Sequence, residues 1–164
     1  MLANDPIYQL RGHRVAPMQF SEIESKALGF CRRFGLTPGA EKRMGLLFDK
    51  LADEATITID PICPDDWNYS TEAICAPQSR TIHVPEATYQ KATRGDPRAL
   101  EIMFHELGHV LLGHQPVHHH EGLSPPHQSE DAEWQADLFA MVVLKYMQVR
   151  IGWQLSLPFQ GTKA

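Results

Sequence analysis

The sequence has few cysteines, no long apolar run and no excess of positive charge. Its three cysteines, Cys31, Cys63 and Cys75, stand far apart without a CxxC pair, so no disulfide framework is expected. The apolar stretch at 138–144 is too short to span a bilayer, and residues 1–12 lack the apolar core of a signal peptide, so we expect a cytoplasmic protein without membrane association. The net charge of −5 argues against nucleic-acid binding through bulk positive charge.

The length and composition are typical of one globular domain. The chain has 164 residues, of which 43% are hydrophobic and 21% charged, which is enough to bury one core but not two. No internal repeat is visible in the sequence. We therefore expect a single domain over 1–164, with an irregular arm over 1–19 and a short tail over 152–164.

Hydrophobic periodicity predicts an α+β domain, with helices towards both ends of the chain and strands in the middle. In chain order, the predicted elements are helices opening at Ser21 and at Thr37-Pro38, a strand over 55–59, a hairpin of strands over 72–76 and 81–84, a connecting segment, a helix from Pro97 to about Leu112, and a helix from after Ser129 to about Arg150. The three strands are expected to form a small, mostly antiparallel sheet packed on the last two helices.

The most informative motif is HELGH at residues 105–109, which has the pattern HExxH. Residues four apart lie on one face of a helix, so His105 and His109 can offer two imidazoles to one metal ion. Glu106 lies about 100° further round the helix, where it can reach the attacking water. This arrangement is typical of zinc-assisted hydrolysis with the glutamate as general base.

A third metal ligand is expected downstream of this helix. The elongated HExxHxxGxxH pattern would need Gly at 112 and His at 115, where the chain has Leu112 and Gln115, and His114 lies one residue short. Glu133 is the better candidate, because residues 110–132 allow the chain to loop back and a second helix to cross the first. Two histidines and one glutamate would then hold the metal with one position left open.

Asp137 lies one helical turn beyond Glu133 and is expected to support the ligands. A carboxylate there can accept a hydrogen bond from the ring N–H of His105 or His109 that faces away from the metal, and this bond sets the tautomer of the ligand. The small side chain of Ala136, next to it, allows the two helices to cross closely.

The predicted loop over 113–129 contains five of the nine histidines. A loop of this length in a compact domain is usually functional or mobile. Either His114 or His127 is a candidate to stabilise the oxyanion that develops during peptide hydrolysis. The histidine run at 118–120 is more simply a solvated or adventitious metal-binding segment. The sequence alone does not choose between these roles.

Two segments of the chain resemble the ImmA/IrrE family of metallo-endopeptidases. The stretch IHVPEATYQKATRGDPRALEIMFHELGHVLLGH resembles the family's strand, connector and HExxH helix, and EWQADLFA at 133–140 resembles its second motif, in which a Glu ligand precedes an Ala-Asn or Ala-Asp pair. The resemblance covers roughly residues 72–140. It implies a zincin-like fold, a cytoplasmic protease and, as substrate, a helix-turn-helix repressor. The chain departs from the family after Phe139-Ala140, where it continues Val142-Val143-Leu144.

The motifs together predict a metallopeptidase domain that hydrolyses a peptide bond in a protein substrate. Glu106 is the predicted general base, and the predicted metal, zinc or else manganese, is held by His105, His109 and Glu133. The expected partner is a helix-turn-helix repressor, with no direct contact to nucleic acid. Two alternatives stay open: a metal-containing partner module of a toxin–antitoxin or repressor pair that acts by binding rather than cleavage, and a zinc hydrolase that acts on a small molecule in a closed pocket.

Overall fold

The computed structural model describes residues 7–117 and 124–151. The first six residues of the predicted arm, the histidine run at 118–120 and the predicted tail at 152–164 lie outside the described residues. The expectations for those segments therefore stay predictions.

The described residues form an α+β structure of five helices and one three-stranded sheet, which confirms the predicted fold class. The helices are α1 (Phe20–Phe34), α2 (Met44–Ala55), α3 (Glu86–Thr93), α4 (Pro97–Leu111) and α5 (Ala132–Tyr146), and the strands are β1 (Thr58–Ile62), β2 (Ile74–Ala76) and β3 (Thr81–Pro85). Short 3-10 turns occupy Ala40–Arg43, Pro64–Asp66 and Gln128–Glu130. Within these ranges no helix is both long and apolar enough to cross a membrane.

The sheet is mixed, so the expectation of a mostly antiparallel sheet is wrong. The predicted hairpin is confirmed, because β2 pairs antiparallel to β3 with Ile74 opposite His83. On the other side, β1 pairs parallel to β3 with Thr58 opposite Thr81. Alternation of apolar and polar residues identifies a strand but carries no information on its direction. The direction of β1 depends on the loop after it, which carries the chain past β3 to the far edge of the sheet.

Several element boundaries differ from the predictions. The second helix does not open at Thr37-Pro38, because a 3-10 turn at Ala40–Arg43 precedes α2. Helix α2 continues through Ala55 and ends where Thr56 adopts a left-handed conformation at φ 53°, so β1 begins later than predicted. The connecting segment before Pro97 contains α3, a short helix with little amphipathic character. The final helix ends at Tyr146 rather than near Arg150.

Helices α4 and α5 cross closely at the centre of the core. A Cβ at Gly108 would lie 3.2 Å from the Cα of Ala136 and 3.2 Å from the Cβ of Phe139, so a larger residue would push the two helices apart by a few tenths of an ångström. The rings of Phe104 and Phe139 both pack around Phe30 of α1, with centroid distances of 6.4 and 5.7 Å. These buried contacts hold the two helices that carry the predicted metal ligands in one relative position.

The arm, as far as it is described, runs without a helix along the residues that precede α5. Backbone amides of Val15 and Met18 donate to the carbonyls of Glu130 and Ser129 at 2.8 and 2.9 Å. The carboxylate of Asp131 is fully buried and accepts hydrogen bonds from the Tyr8 hydroxyl and from backbone amides. The arm is therefore bonded to the start of α5 over most of its length.

Candidate metal centre

The side chains of His105, His109 and Glu133 converge on one point and form a group that can bind a metal ion. Nε2 of His105 lies 3.1 Å from Nε2 of His109 and 3.1 Å from Glu133 Oε2, and Nε2 of His109 lies 3.4 Å from Glu133 Oε1. Ligands bound tetrahedrally at about 2.0–2.1 Å are about 3.3–3.4 Å apart. The observed separations lie close to that value, with His105 and His109 facing different oxygens of Glu133, so the three side chains are suited to hold one ion.

Helix α4 presents both histidines because its start and its buried face are well defined. Asp96 caps the helix by accepting a hydrogen bond from the Ala99 amide at 2.9 Å, and Pro97 occupies the first helical position. Leu100, Phe104 and Leu107 face the core and are fully buried. The opposite face therefore points away from the core, and it carries the two histidines one turn apart.

Glu133 reaches the histidines from the first turn of α5. Asp131 caps this helix by accepting from the Glu133 amide at 3.0 Å. The hydrogen bond between Glu133 and His105 lowers the pKa of the Glu133 carboxyl. Glu133, the predicted third ligand, is thus an ionised carboxylate in contact with both imidazole rings.

Positive charge is favoured between these three ligands. Burial lowers the pKa of His105, but hydrogen bonds to Asp137 and Glu133 outweigh it and raise the pKa to about 10. Burial and the charge of His105 together lower the pKa of His109 to about 4. The carboxylates of Glu133 and Asp137 therefore favour a positive charge beside His105, which a bound cation can also supply.

Asp137 makes the contact that its spacing predicted. Its Oδ1 lies 2.8 Å from Nδ1 of His105, on the side of the ring away from Glu133. Its other oxygen, Oδ2, accepts a hydrogen bond from Arg11 Nη1 at 2.8 Å. Burial raises the pKa of Asp137, but the bonds from His105 and Arg11 outweigh it and lower the pKa. Arg11 was not predicted from the sequence, because only the folded arm brings it near α5.

His114 lines the cavity beside the predicted metal ligands, but its ring is already engaged in hydrogen bonds. It is buried behind His109, with its Nδ1 2.8 Å from His109 Nδ1 and its Nε2 2.9 Å from Gln135 Oε1. Both ring nitrogens are therefore engaged within the protein. Gln135, fully buried on α5, was also not predicted, since a glutamine in an apolar helix gives no sequence signal of its contacts.

His127 also lies apart from the predicted chemistry. Its Nδ1 accepts a hydrogen bond from the Ser129 amide at 3.1 Å and caps the 3-10 turn at Gln128–Glu130. Among the described residues, those that line the cavity beside the metal ligands do not include His127. The expectation that it contacts the reacting group is therefore not supported by its position.

Glu106 lines the same cavity as the metal ligands but is not one of the three convergent residues. Burial, together with the nearby charge of Glu133, raises the pKa of its carboxyl to about 7, against the opposing effect of His105. A carboxyl group with a pKa near neutrality can both accept and return a proton.

The cavity beside the ligands has a volume of about 900 Å³ and is bounded by five parts of the fold. Its walls are the arm, the edge strand β2 with its flanking turns, helix α4, the segment 114–116 after it, and helix α5. His13 of the arm lines it, and no hydrogen bond to the His13 ring is made by any residue in the described part of the chain. Arg98 also lines it but is paired with Glu72 and with Glu101, the latter at 2.9 Å.

Comparison with known proteins identified no family and no relative. No protein-family model, no curated protein and no solved structure matches this chain.

Proposed function

We propose that the protein is a zinc-dependent endopeptidase. The observation that carries the proposal is the position of Glu106, which lines the cavity beside a convergent His–His–Glu group without belonging to it. A purely structural metal site needs no additional half-buried acid next to its ligands. The resemblance of residues 72–140 to the ImmA/IrrE family supports the same assignment.

Zinc suits this donor set better than manganese. Two imidazole nitrogens and one carboxylate, with a position left open, are a common catalytic zinc set, whereas manganese favours sites richer in oxygen. When bound, zinc would supply a Lewis acid for the scissile carbonyl and lower the pKa of water at the site. His105, His109 and Glu133 would hold it.

In the proposed reaction, side chains of this protein transfer the protons and orient the histidine ligands. Glu106 accepts the proton of the attacking water and later returns it to the leaving amine, so one carboxyl serves as base and then as acid. Asp137 keeps the His105 ring oriented through the 2.8 Å contact to Nδ1. We assign stabilisation of the oxyanion to His13, because its ring lines the cavity and accepts or donates no hydrogen bond among the described residues. By contrast, both ring nitrogens of His114 and Nδ1 of His127 are already bonded.

The proposed substrate is an extended segment of a protein. Strand β2 is at an edge of the sheet and borders the cavity, so its outward backbone groups are available to pair with a substrate strand. Such pairing gives affinity through backbone hydrogen bonds, while the cavity walls give specificity. The resemblance to the ImmA/IrrE family suggests a helix-turn-helix repressor as the substrate.

The proposal is tested with the zinc-loaded protein and the repressor encoded nearest to its gene. We expect discrete fragments in mass spectrometry, and we expect Glu106→Gln to bind zinc normally but cleave on the order of 10²–10⁴-fold more slowly. Glu41→Gln, a glutamate of the 3-10 turn before α2, is the matched control and should cleave at the normal rate. Full biological effect without cleavage would instead favour the binding-module alternative. Loss of zinc in Glu106→Gln would mean that Glu106 is a ligand.

A further inference from the structure

The side chain of Gln135 is held in one orientation by the protein backbone. It is fully buried, and its amide nitrogen donates to the carbonyl of Ala16 at 3.0 Å and to that of Ser129 at 2.7 Å. Carbonyl oxygens only accept hydrogen bonds, so the amide nitrogen must face them. A flipped amide would bring three acceptor oxygens together without a proton between them, which is costly in a buried site. The amide oxygen of Gln135 therefore points the other way.

The orientation of Gln135 determines which nitrogen of His114 carries a proton. Oε1 of Gln135 lies 2.9 Å from Nε2 of His114. Because an amide oxygen only accepts, Nε2 of His114 is the donor in this bond. When Nε2 carries the single proton of the ring, the lone pair of His114 is on Nδ1.

The same reasoning assigns the ring proton of His109. Its Nδ1 lies 2.8 Å from Nδ1 of His114. Since the His114 nitrogen is the acceptor, His109 must donate, and its proton is on Nδ1. Its Nε2 then has the lone pair, and this is the nitrogen that lies 3.4 Å from Glu133 Oε1 and 3.1 Å from His105 Nε2.

We infer that Gln135 and His114 form a buried relay of positioning residues that fixes the tautomer of His109 and aims its Nε2 lone pair at the metal. The importance of this relay for metal binding rests on the proposed function. The two histidine ligands are thus supported differently, His105 by an ionised carboxylate and His109 by a neutral imidazole. The relay also ends on backbone carbonyls of the arm and of the turn before α5, so the tautomer depends on the docking of both segments.

The direct test is nuclear magnetic resonance of the full chain, with and without zinc. Long-range ¹H–¹⁵N correlations report which ring nitrogen carries the proton. We expect Nε2–H for His114 and Nδ1–H for His109 in both samples. A proton on Nδ1 of His114 would reverse the relay and overturn the inference. This readout does not depend on any peptidase activity.

A second test uses variants of His114 and measures zinc affinity by competition with a chromophoric chelator. His114→Leu removes the acceptor for His109 and should weaken zinc binding about 10–100-fold. His114→Gln supplies a carbonyl oxygen in its place and should restore most of the affinity. Leu112→Ala, which shortens a buried apolar side chain nearby, should lower stability without this loss. Unchanged affinity in His114→Leu contradicts the inference.

The two proposals fail in distinguishable ways. A chain with the expected tautomers and the expected affinity loss, but without cleavage of any repressor, would contradict the peptidase and support the relay. A chain that cleaves its substrate while His114→Leu retains full zinc affinity would support the peptidase and overturn the relay.

Discussion

Gly12 of the arm lies directly against Glu133, the candidate third metal ligand. A Cβ built on Gly12 would stand 2.6 Å from Glu133 Cγ and 3.1 Å from its Oε1. Heavy atoms that are not bonded to each other do not approach to 2.6 Å, so no other residue fits at position 12 without displacing one of the two. The arm therefore forms a wall that limits where the third ligand can lie.

The first prediction follows from this contact. Gly12→Ala should displace the Glu133 side chain and weaken zinc binding about tenfold. This is the lower end of the loss of about 10–100-fold in metal affinity that is typical when the support of a ligand is altered. Chelator competition measures the effect. Gly29→Ala is the matched control, because a Cβ there meets nothing within 4 Å. The control should keep its zinc affinity and gain about 0.5–1 kcal/mol in stability, since Gly29 lies in the interior of α1. Equal zinc affinities in the two variants would show that the arm moves and that Glu133 keeps its position.

A second prediction concerns the buried carboxylate of Asp131. It accepts from the Tyr8 hydroxyl at 2.6 Å and from the amides of Arg11, Gly12 and Glu133 at 2.9, 3.2 and 3.0 Å. Asp131→Ala leaves these donors without their acceptor and removes the cap of α5. We expect a loss of about 2–4 kcal/mol in the free energy of unfolding, measured by urea denaturation.

The same carboxylate predicts a dependence of stability on pH. Burial raises the pKa of Asp131, but the hydrogen bonds outweigh it, so the folded pKa lies below its ordinary value of 3.8. A lowered folded pKa means that the ionised group stabilises the fold above the unfolded pKa, and this contribution is lost as the pH falls through the folded pKa. The stability difference between wild type and Asp131→Ala should therefore shrink in acid. A difference that stays constant from pH 7 to pH 3 would contradict this.

The third prediction separates the two partners of Asp137. Asp137→Ala removes the acceptor for His105 Nδ1 and should lower zinc affinity about 10–100-fold. Arg11→Gln leaves that acceptor in place and removes the half-exposed ion pair with Asp137 and the 3.9 Å ion pair with Asp131, so its effect on zinc affinity should be within a few-fold. Asp53→Ala, on the exposed face of α2, serves as control. If Asp137→Ala binds zinc as the wild type does, the proposed support of His105 is wrong.

The fourth prediction tests His13. If its ring stabilises the oxyanion, His13→Ala should reduce kcat about 10²-fold while zinc affinity stays unchanged. His83→Ala is a suitable control, because His83 is on β3 and contacts Asp60 at 3.0 Å. A rate loss that appears only in KM would assign His13 to substrate binding. Normal kinetics would remove it from the mechanism.

Helical geometry made part of the site predictable from the sequence. His105 and His109 are one turn apart on α4, and Asp137 is one turn beyond Glu133 on α5, so each pair shares a face wherever the helix is placed. The helix signals at Asp96-Pro97 are local as well, and α4 begins where they predicted. These inferences needed only the 3.6-residue period and the chemistry of the side chains.

Contacts between segments that are distant in the chain could be seen only in the folded structure. The direction of β1, the approach of Gly12 to Glu133 and the bond from Arg11 to Asp137 join residues that are far apart in the chain. His114 has the residue type of a catalytic donor, yet burial behind His109 commits both of its nitrogens to hydrogen bonds inside the protein. Residue type and spacing indicate what a side chain can do, but its partners are set by packing across the whole fold.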